Sequence, residues 1–182
     1  MILTETGLDD LIILEPRIFE DSRGYFMESY NQKTFADHGI HHHWIQDNQS
    51  KSSRGVVRGL HYQMNPESQS KLIRVIEGVI YDVVLDLRKN SKTFGKTFGI
   101  ELSSDNKKQF LVPSGFAHGF SVISPTATVL YKCDSLYSPS LERGINPCDP
   151  DLNIDWRLDK EEMILSDKDL NSPTFKQAEY NF

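Results

Sequence analysis

The sequence predicts an all-β protein, a sandwich or barrel of short strands, and three observations carry that reading. Short runs rich in Val, Ile, Phe and Tyr recur along the chain, Gly and Pro punctuate them, and apolar residues almost nowhere follow the helical period. At 182 residues the chain suits one domain over 1–182 with room for a substantial core. Its 38% apolar and 25% charged residues place it in the soluble globular class. The net charge of -6, with Lys and Arg dispersed, argues against nucleic acid as the main partner, although a local arginine cluster can still hold a small anion.

In chain order, Leu11 to Glu15 (LIILE) reads as a strand ended by Pro16. Asp21, Ser22, Arg23 and Gly24 then make a turn between two aromatic-bearing extended segments, with Phe26 and Glu28 on one face and Tyr25 and Met27 on the other. Lys33 to His38 is the first helical turn, closed by Gly39. The triplet His41, His42, His43 lies in an extended segment whose alternation puts at most two rings on one face, and co-ligands are missing nearby, so no metal is expected there. IQDNQSKSS reads as a polar stretch leading into the centre of the chain.

That centre is Arg54 to Lys71, RGVVRGLHYQMNPESQSK, which gathers Arg54, Arg58, His61 and Lys71 between two apolar runs. Gly55 and Gly59 inside a strand pattern mark a bulge or a close backbone approach. The polar MNPESQS reads as a loop, and KLIRVIEGVIYDVVLDLR resumes as two strands turning at Glu77 and Gly78. Each polar residue also has a plainer reading: His61 as a hydrogen-bonded structural residue, Lys71 as an edge-strand lysine, and Arg58 as a surface ion-pair partner.

Arg88 to Phe98 reads as loop and turn, followed by the strand GIELSS. Gln109 to Val112 leads into VPSGFAHGFSVIS, and Thr126 to Cys133 is a strand with Val129 and Tyr131 on one face. Leu136 to Trp156 reads as a long acidic loop, and Leu158 to Glu162 and Pro173 to Ala178 as short helices. Cys133 and Cys148 have no short metal spacing and fit a reducing compartment. The N-terminus lacks the features of a secretory signal, and no apolar run approaches the roughly 18 residues of a spanning helix, so a cytoplasmic protein with no membrane partner is expected.

Pro113, Gly115 and His118, spaced P-x-G-x-x-H, resemble the second motif of the cupins, in which a jelly-roll hairpin presents a histidine into the barrel. GLHYQ falls where the first cupin motif supplies metal ligands, but here it offers only His61 and Gln63, with Lys71 ten residues on and no matching carboxylate. One His per motif beside a lysine is a poor set for a divalent metal, so neither metal nor other cofactor is expected. With FEDSRGYFMESY, QDNQSKSSRGVVRGLHYQ, YSPSLERGI, CDPDLNIDW and LSDKD in order over about 150 residues, the chain resembles the dTDP-4-dehydrorhamnose 3,5-epimerase (RmlC-type) family of the cupin superfamily.

The resemblance implies a cupin-like jelly-roll β-barrel with short peripheral helices. Its substrate would be a dTDP-linked 4-keto-6-deoxyhexose, inverted at C3 and C5 without metal or redox cofactor, because both carbons flank the C4 ketone and yield an enolate on deprotonation. His61 matches the family's base and Asp169 the carboxylate paired with it, although Ser166 and Asp169 alone read as a helix-capping pair. Tyr131 matches the acid on the far face, where residue type alone suggests a core or rim aromatic. Lys71 matches the cation at the enolate oxygen, with Asp82 on the next strand placed to orient it.

Arg23, Glu28, Gln46, Asn48, Arg58, Lys71, His118, Glu142 and Lys168 match substrate-binding positions, Arg forks suiting diphosphate oxygens. Phe19, Phe26 and Tyr137 are available to stack on thymine or line the sugar pocket, and equally to fill a core. The family also implies a homodimer in which N-terminal strands carry the Arg23 and Glu28 positions into the partner's site. Enzymes inverting only one centre, a metal-dependent cupin and a silent sugar-binding cupin are the rivals. Retention of Tyr131 favours double inversion, and His61, Lys71, Tyr131 and Asp169 together exceed what binding alone needs.

Overall fold

A computed structural model describes residues 1–182, and almost every backbone pairing in it is antiparallel. One sheet has six strands, in spatial order β1 (Ile2–Glu5), β2 (Ile12–Glu15), β10 (Gln109–Val112), β7 (Lys71–Glu77), β12 (Thr126–Cys133) and β5 (Gln46–Ser53). The facing sheet has five, in the order β13 (Glu142–Gly144), β6 (Val57–Gln63), β11 (Phe116–Val122), β8 (Val79–Asp86) and β9 (Thr97–Ser103). Strands β3 (Ile18–Asp21) and β4 (Gly24–Met27) form a separate hairpin, and two short helices, α1 (Gln32–Asp37) and α2 (Asp167–Leu170), lie outside the sheets. This is the jelly-roll, cupin-like barrel that the sequence predicts. No helix is long and apolar enough to cross a membrane.

The interior between the sheets is apolar. Ile73, Val75, Phe110 and Val129 from the six-stranded sheet meet Ile80, Val84, Leu102, Phe116 and Phe120 from the other. Each such side chain, once fully buried, contributes roughly 1.5–3 kcal/mol, so this cluster dominates cohesion of the barrel. A second cluster covers the outer face of the five-stranded sheet, where Val57, Leu60, Val83 and Leu85 pack against Trp156 and the C-terminal segment through Phe175, Tyr180 and Phe182. A third seats α1 through Phe35 against Leu14, Leu72 and Leu111.

Several elements differ from the sequence reading. IQDNQSKSS contains the eight-residue edge strand β5, whose alternate residues Gln46, Asn48, Ser50 and Ser52 turn inward. β1, β13 inside the long acidic loop, and the start of β9 at Thr97 are further strands that the sequence pattern does not mark. Leu158 to Glu162 holds only a 3-10 turn at Lys160–Glu162, and Pro173 to Ala178 is a turn rather than a helix. The histidine triplet lies in irregular chain, with His41 and His43 exposed and His42 Nδ1 at 2.9 Å from Asp134 Oδ2.

Two glycines set the spacing of β6 and β11. A Cβ on Gly119 would lie 2.5 Å from the Arg58 carbonyl oxygen, and one on Gly59, at φ +111°, would lie 2.6 Å from the Gly119 Cα. Only a glycine pair permits that approach. The register slips there, with His118 opposite His61 but Phe120 opposite Arg58, which is a bulge that re-aims side chains beside a cavity.

Candidate active site

β6 brings Arg58 and His61 to one wall of a cavity of about 300 Å³, and β11 adds His118 on the same sheet. The opposite wall comes from the other sheet: Gln46, Asn48 and Ser50 on β5, Tyr131 on β12 and Lys71 at the start of β7. Tyr137 and Glu142 stand at the rim. Phe120 and Tyr131 border the apolar core, so the cavity is a polar extension of the barrel interior.

His61 Nε2 lies 2.6 Å from Asp169 Oδ1, and the other ring nitrogen, Nδ1, has no protein partner. Both sequence readings of Asp169 hold together, because Ser166 caps α2 by accepting the Asp169 backbone N–H at 3.1 Å while the Asp169 side chain reaches His61. Burial pushes the Asp169 carboxyl up. The hydrogen bond and charge of His61, the Ser166 hydroxyl and the Gly59 amide outweigh it, leaving the carboxyl below its usual range and ionised. A charged carboxylate on Nε2 holds the proton there, so Nδ1 carries the lone pair.

His118 forms a second such pair, its Nε2 2.9 Å from Asp82 Oδ2. Asp82 is fully buried and its Oδ1 has no hydrogen-bond partner; burial pushes its carboxyl up, opposed by His118 and Lys71. Asp82 therefore bonds to His118 rather than to Lys71, which corrects the orienting role expected for it. The Lys71 side chain makes no hydrogen bond or ion pair; burial pushes its pKa down, opposed by Cys133, Asp82 and Glu142. Its ammonium is thus a donor in the cavity with no protein acceptor.

Burial, with Cys133 and Glu142 adding to it and Arg58 opposing, raises the Tyr131 pKa, so the phenol keeps its proton. At the rim, Glu142 Oε2 accepts from Tyr137 Oη at 2.9 Å and Lys168 Nζ at 2.7 Å. The Tyr137 backbone N–H donates to Gln46 Oε1 at 2.9 Å, and Gln46 Nε2 to Asn48 Oδ1 at 3.1 Å. Arg58 Nε donates to Ser52 Oγ at 3.0 Å.

The fold thus brings together His61, Lys71, Tyr131, Gln46, Asn48, Arg58, His118, Glu142 and Tyr137, with Asp169 behind His61 and Lys168 behind Glu142. It does not bring in Arg23, Glu28, Phe19 or Phe26. Arg23 pairs with Asp21 on the β3–β4 hairpin, Glu28 binds Asn31 and Thr34, and the rings of Phe19 and Phe26 sit 6.4 Å apart on that hairpin at 49% and 69% exposure. Ser50 and Gln69 also line the cavity without any mark in the sequence reading, and so does Gln63, which that reading names only as a poor metal ligand beside His61. The signal for Ser50 was alternation from Gln46; Gln63 holds the rim from beneath, accepting from Ser138 N at 2.8 Å and donating to Leu136 O at 2.9 Å.

Comparison with known proteins agrees over nearly the whole chain. The family profile described as dTDP-4-dehydrorhamnose 3,5-epimerase matches residues 5–177. A relative of that name from Shigella flexneri is 48% identical over 181 residues, covering 99% of each chain. The crystal structure of the Elizabethkingia anophelis enzyme of that name superposes with a TM-score of 0.93 at 53% identity, covering 97% of each chain. A Legionella pneumophila dTDP-6-deoxy-D-glucose-3,5-epimerase, solved with dTDP-4-keto-L-rhamnose, superposes with a TM-score of 0.92 at 44% identity, covering 97% of this chain and 93% of the other. Fold, cavity and sequence converge: the chain belongs to the dTDP-4-dehydrorhamnose 3,5-epimerase family.

Proposed function

We propose that this protein is a dTDP-4-dehydrorhamnose 3,5-epimerase, an isomerase that inverts C3 and C5 of dTDP-4-keto-6-deoxy-D-glucose to give dTDP-4-keto-L-rhamnose on the way to dTDP-L-rhamnose. One observation carries the reading. The imidazole of His61, its Nε2 tied to Asp169, and the protonated phenol of Tyr131 come from opposite sheets, with an unpaired Lys71 ammonium in the same cavity. Inversion needs a base on one face of the sugar, an acid on the other and a cation at the oxygen between them.

His61 Nδ1 takes the proton from the carbon beside the ketone, and Asp169 stabilises the imidazolium that forms. The electron pair moves onto the C4 oxygen, where Lys71 donates a hydrogen bond. Tyr131 then returns a proton to the carbon from the opposite face. The second centre repeats the sequence after the sugar re-seats and after solvent has taken the proton from His61 and returned one to Tyr131. Arg58, Gln46, Asn48, His118, Glu142, Tyr137 and Lys168 hold the nucleotide sugar, with the Arg58 fork suited to diphosphate oxygens.

Residues 1–182 act in this reading as one cytoplasmic cupin-like unit that works as a homodimer. The exposed Phe19, Tyr25 and Phe26 of the β3–β4 hairpin and the free edges of β1 and β5 support dimerisation by strand exchange. Arg23, Glu28, Phe19 and Phe26 then serve the partner's cavity. Mixing Arg23→Ala with His61→Ala chains should restore activity that each lacks alone; failure of complementation would remove the shared site.

The central test follows the sugar C3 and C5 protons by NMR in deuterated water with chelator-treated protein. Exchange at both carbons, abolished in His61→Ala, is expected. Exchange at one carbon would make the protein a monoepimerase, and exchange that returns only with added divalent metal would overturn the metal-free reading.

A further inference from the structure

We propose that Ser52 is a positioning residue for diphosphate recognition, its buried hydroxyl holding the Arg58 guanidinium at Nε so that both Nη groups remain available to the cavity. The inference rests on the functional reading above and goes beyond it, since Ser52 does not line the cavity.

Ser52 ends the inward-facing series of β5 and is 8% exposed. Its backbone is set by pairing with Ala127 of β12 in the six-stranded sheet, whereas Arg58 projects from β6 in the five-stranded one. The 3.0 Å bond between them therefore ties the two sheets beside the cavity, near the short connection from β5 to β6. A guanidinium has five N–H donors in a fixed plane, so fixing Nε also fixes the plane of the four donors on Nη1 and Nη2.

Those four donors have no protein acceptor, and no carboxylate lies within ion-pair distance of Arg58. Arg23, Arg54, Arg88, Arg143 and Arg157 each pair with an Asp or Glu. Arg58 is thus the arginine of the cavity whose charge is left for an incoming anion. A long side chain ordered before the ligand arrives spares the ordering cost at binding, which is the advantage of pre-organisation. Ser supplies the anchor without a competing negative charge; an Asp at 52 would neutralise the group it holds.

The test is calorimetric titration of the full chain with dTDP and, separately, with thymidine. Wild type is compared with Ser52→Ala, Ser52→Thr, Arg58→Met and the Ser52→Ala/Arg58→Met double variant. Ser52→Ala should weaken dTDP binding about fivefold, the change expected when one hydrogen bond of ordinary strength is lost. Ser52→Thr should retain affinity, and Ser52→Ala should change it by less than about twofold once Arg58 is absent, as coupling through one partner requires. Thymidine, lacking phosphates, should bind wild type and Ser52→Ala alike. An equal loss in the Arg58→Met background, or an equal loss for thymidine, would reduce Ser52 to a structural residue. If Ser52→Ala does not fold, Ser52→Cys, close in volume and a weak acceptor, carries the same comparison. Unchanged dTDP affinity in Ser52→Ala overturns the positioning role alone, whereas wild-type protein that does not bind dTDP overturns the functional reading beneath it.

Discussion

Asp169→Asn isolates the electrostatic share of the proposed mechanism, because it keeps the shape of the side chain and removes its charge. In the folded protein the carboxylate is 5% exposed, and its Oδ1 sits 2.6 Å from His61 Nε2. When His61 takes the sugar proton, a unit positive charge develops opposite a unit negative one. At an effective dielectric constant near 20, charges about 4 Å apart interact by about 4 kcal/mol. The transition state carries roughly half to all of that charge, so neutralising Asp169 should cost about 2–4 kcal/mol, a fall in kcat of about 30- to 1000-fold. KM should stay within about threefold, since the carboxylate lies behind the imidazole and contributes to the transition state rather than to ground-state binding. Deuterium incorporation at C3 and C5, measured at saturating substrate with near-UV circular dichroism confirming the fold, gives the number. An Asp169→Asn variant with more than a third of wild-type exchange would refute the base-and-orienter assignment, as would a loss confined to KM.

Other consequences can be checked with the same protein. Tyr131→Phe should wash deuterium into the sugar without inverting it, because His61 can remove and return a proton on one face; NMR coupling constants that report normal inversion would exclude Tyr131 as the acid. Lys71→Met should reduce kcat at least about 100-fold, as loss of an oxyanion donor does. It should also raise the melting temperature by about 2–4 °C per kcal/mol recovered, since the ammonium is held in the cavity without an acceptor. A lysine whose folded pKa lies below its unfolded value destabilises the fold by its full penalty below the folded pKa, and that penalty shrinks as pH rises from the folded pKa and is gone only above the unfolded one. A lower melting temperature for Lys71→Met at neutral pH would contradict that sign. Asp86 is fully buried, and Arg88, Thr93 and Ser91 outweigh its burial and hold its carboxyl below the usual range. Its stabilisation is complete above the unfolded pKa of about 3.9 and is lost as pH falls through the folded value. Asp86→Asn should therefore cost about 2–4 kcal/mol at pH 7 in urea unfolding and lose less than wild type between pH 5 and about pH 3. Equal urea midpoints at pH 7 would refute it.

The barrel was legible where hydrophobic burial writes its period into the chain. KLIRVIEGVIYDVVLDLR folds as β7 and β8 with the turn at Gly78, and TATVLYKC as β12 with Val129 and Tyr131 both facing inward. β5 was illegible for the opposite reason. Its inward residues, Gln46, Asn48, Ser50 and Ser52, face a polar cavity and its outward residues face solvent, so no apolar alternation marks it as a strand. The pairing of His61 with Asp169 spans 108 residues of chain and has no local signature. It was reached through family resemblance, while the capping signature at Ser166 reported only the backbone half of what Asp169 does. Arg23 and Glu28 were read as binding residues through the resemblance, and Phe19 and Phe26 as aromatics available to stack or to fill a core, yet all four lie on or beside a hairpin apart from this chain's own cavity.

β5 hydrogen-bonds to a neighbouring strand along one side only, at the border of the six-stranded sheet. Its inner surface nevertheless furnishes a wall of the cavity, while the apolar cluster that stabilises the barrel is built from other strands. The recognition surface and the load of cohesion are therefore separable in the sequence. On the proposed reading, exchanging Asn48 and Ser50 for other small polar residues should leave the apolar cluster untouched while altering the sugars admitted, whereas Gln46 also holds the Tyr137 backbone at the rim. Drift in ligand preference within this architecture should accumulate first along that border strand, and a library restricted to its three cavity-facing positions is the economical place to look for altered deoxysugar selectivity.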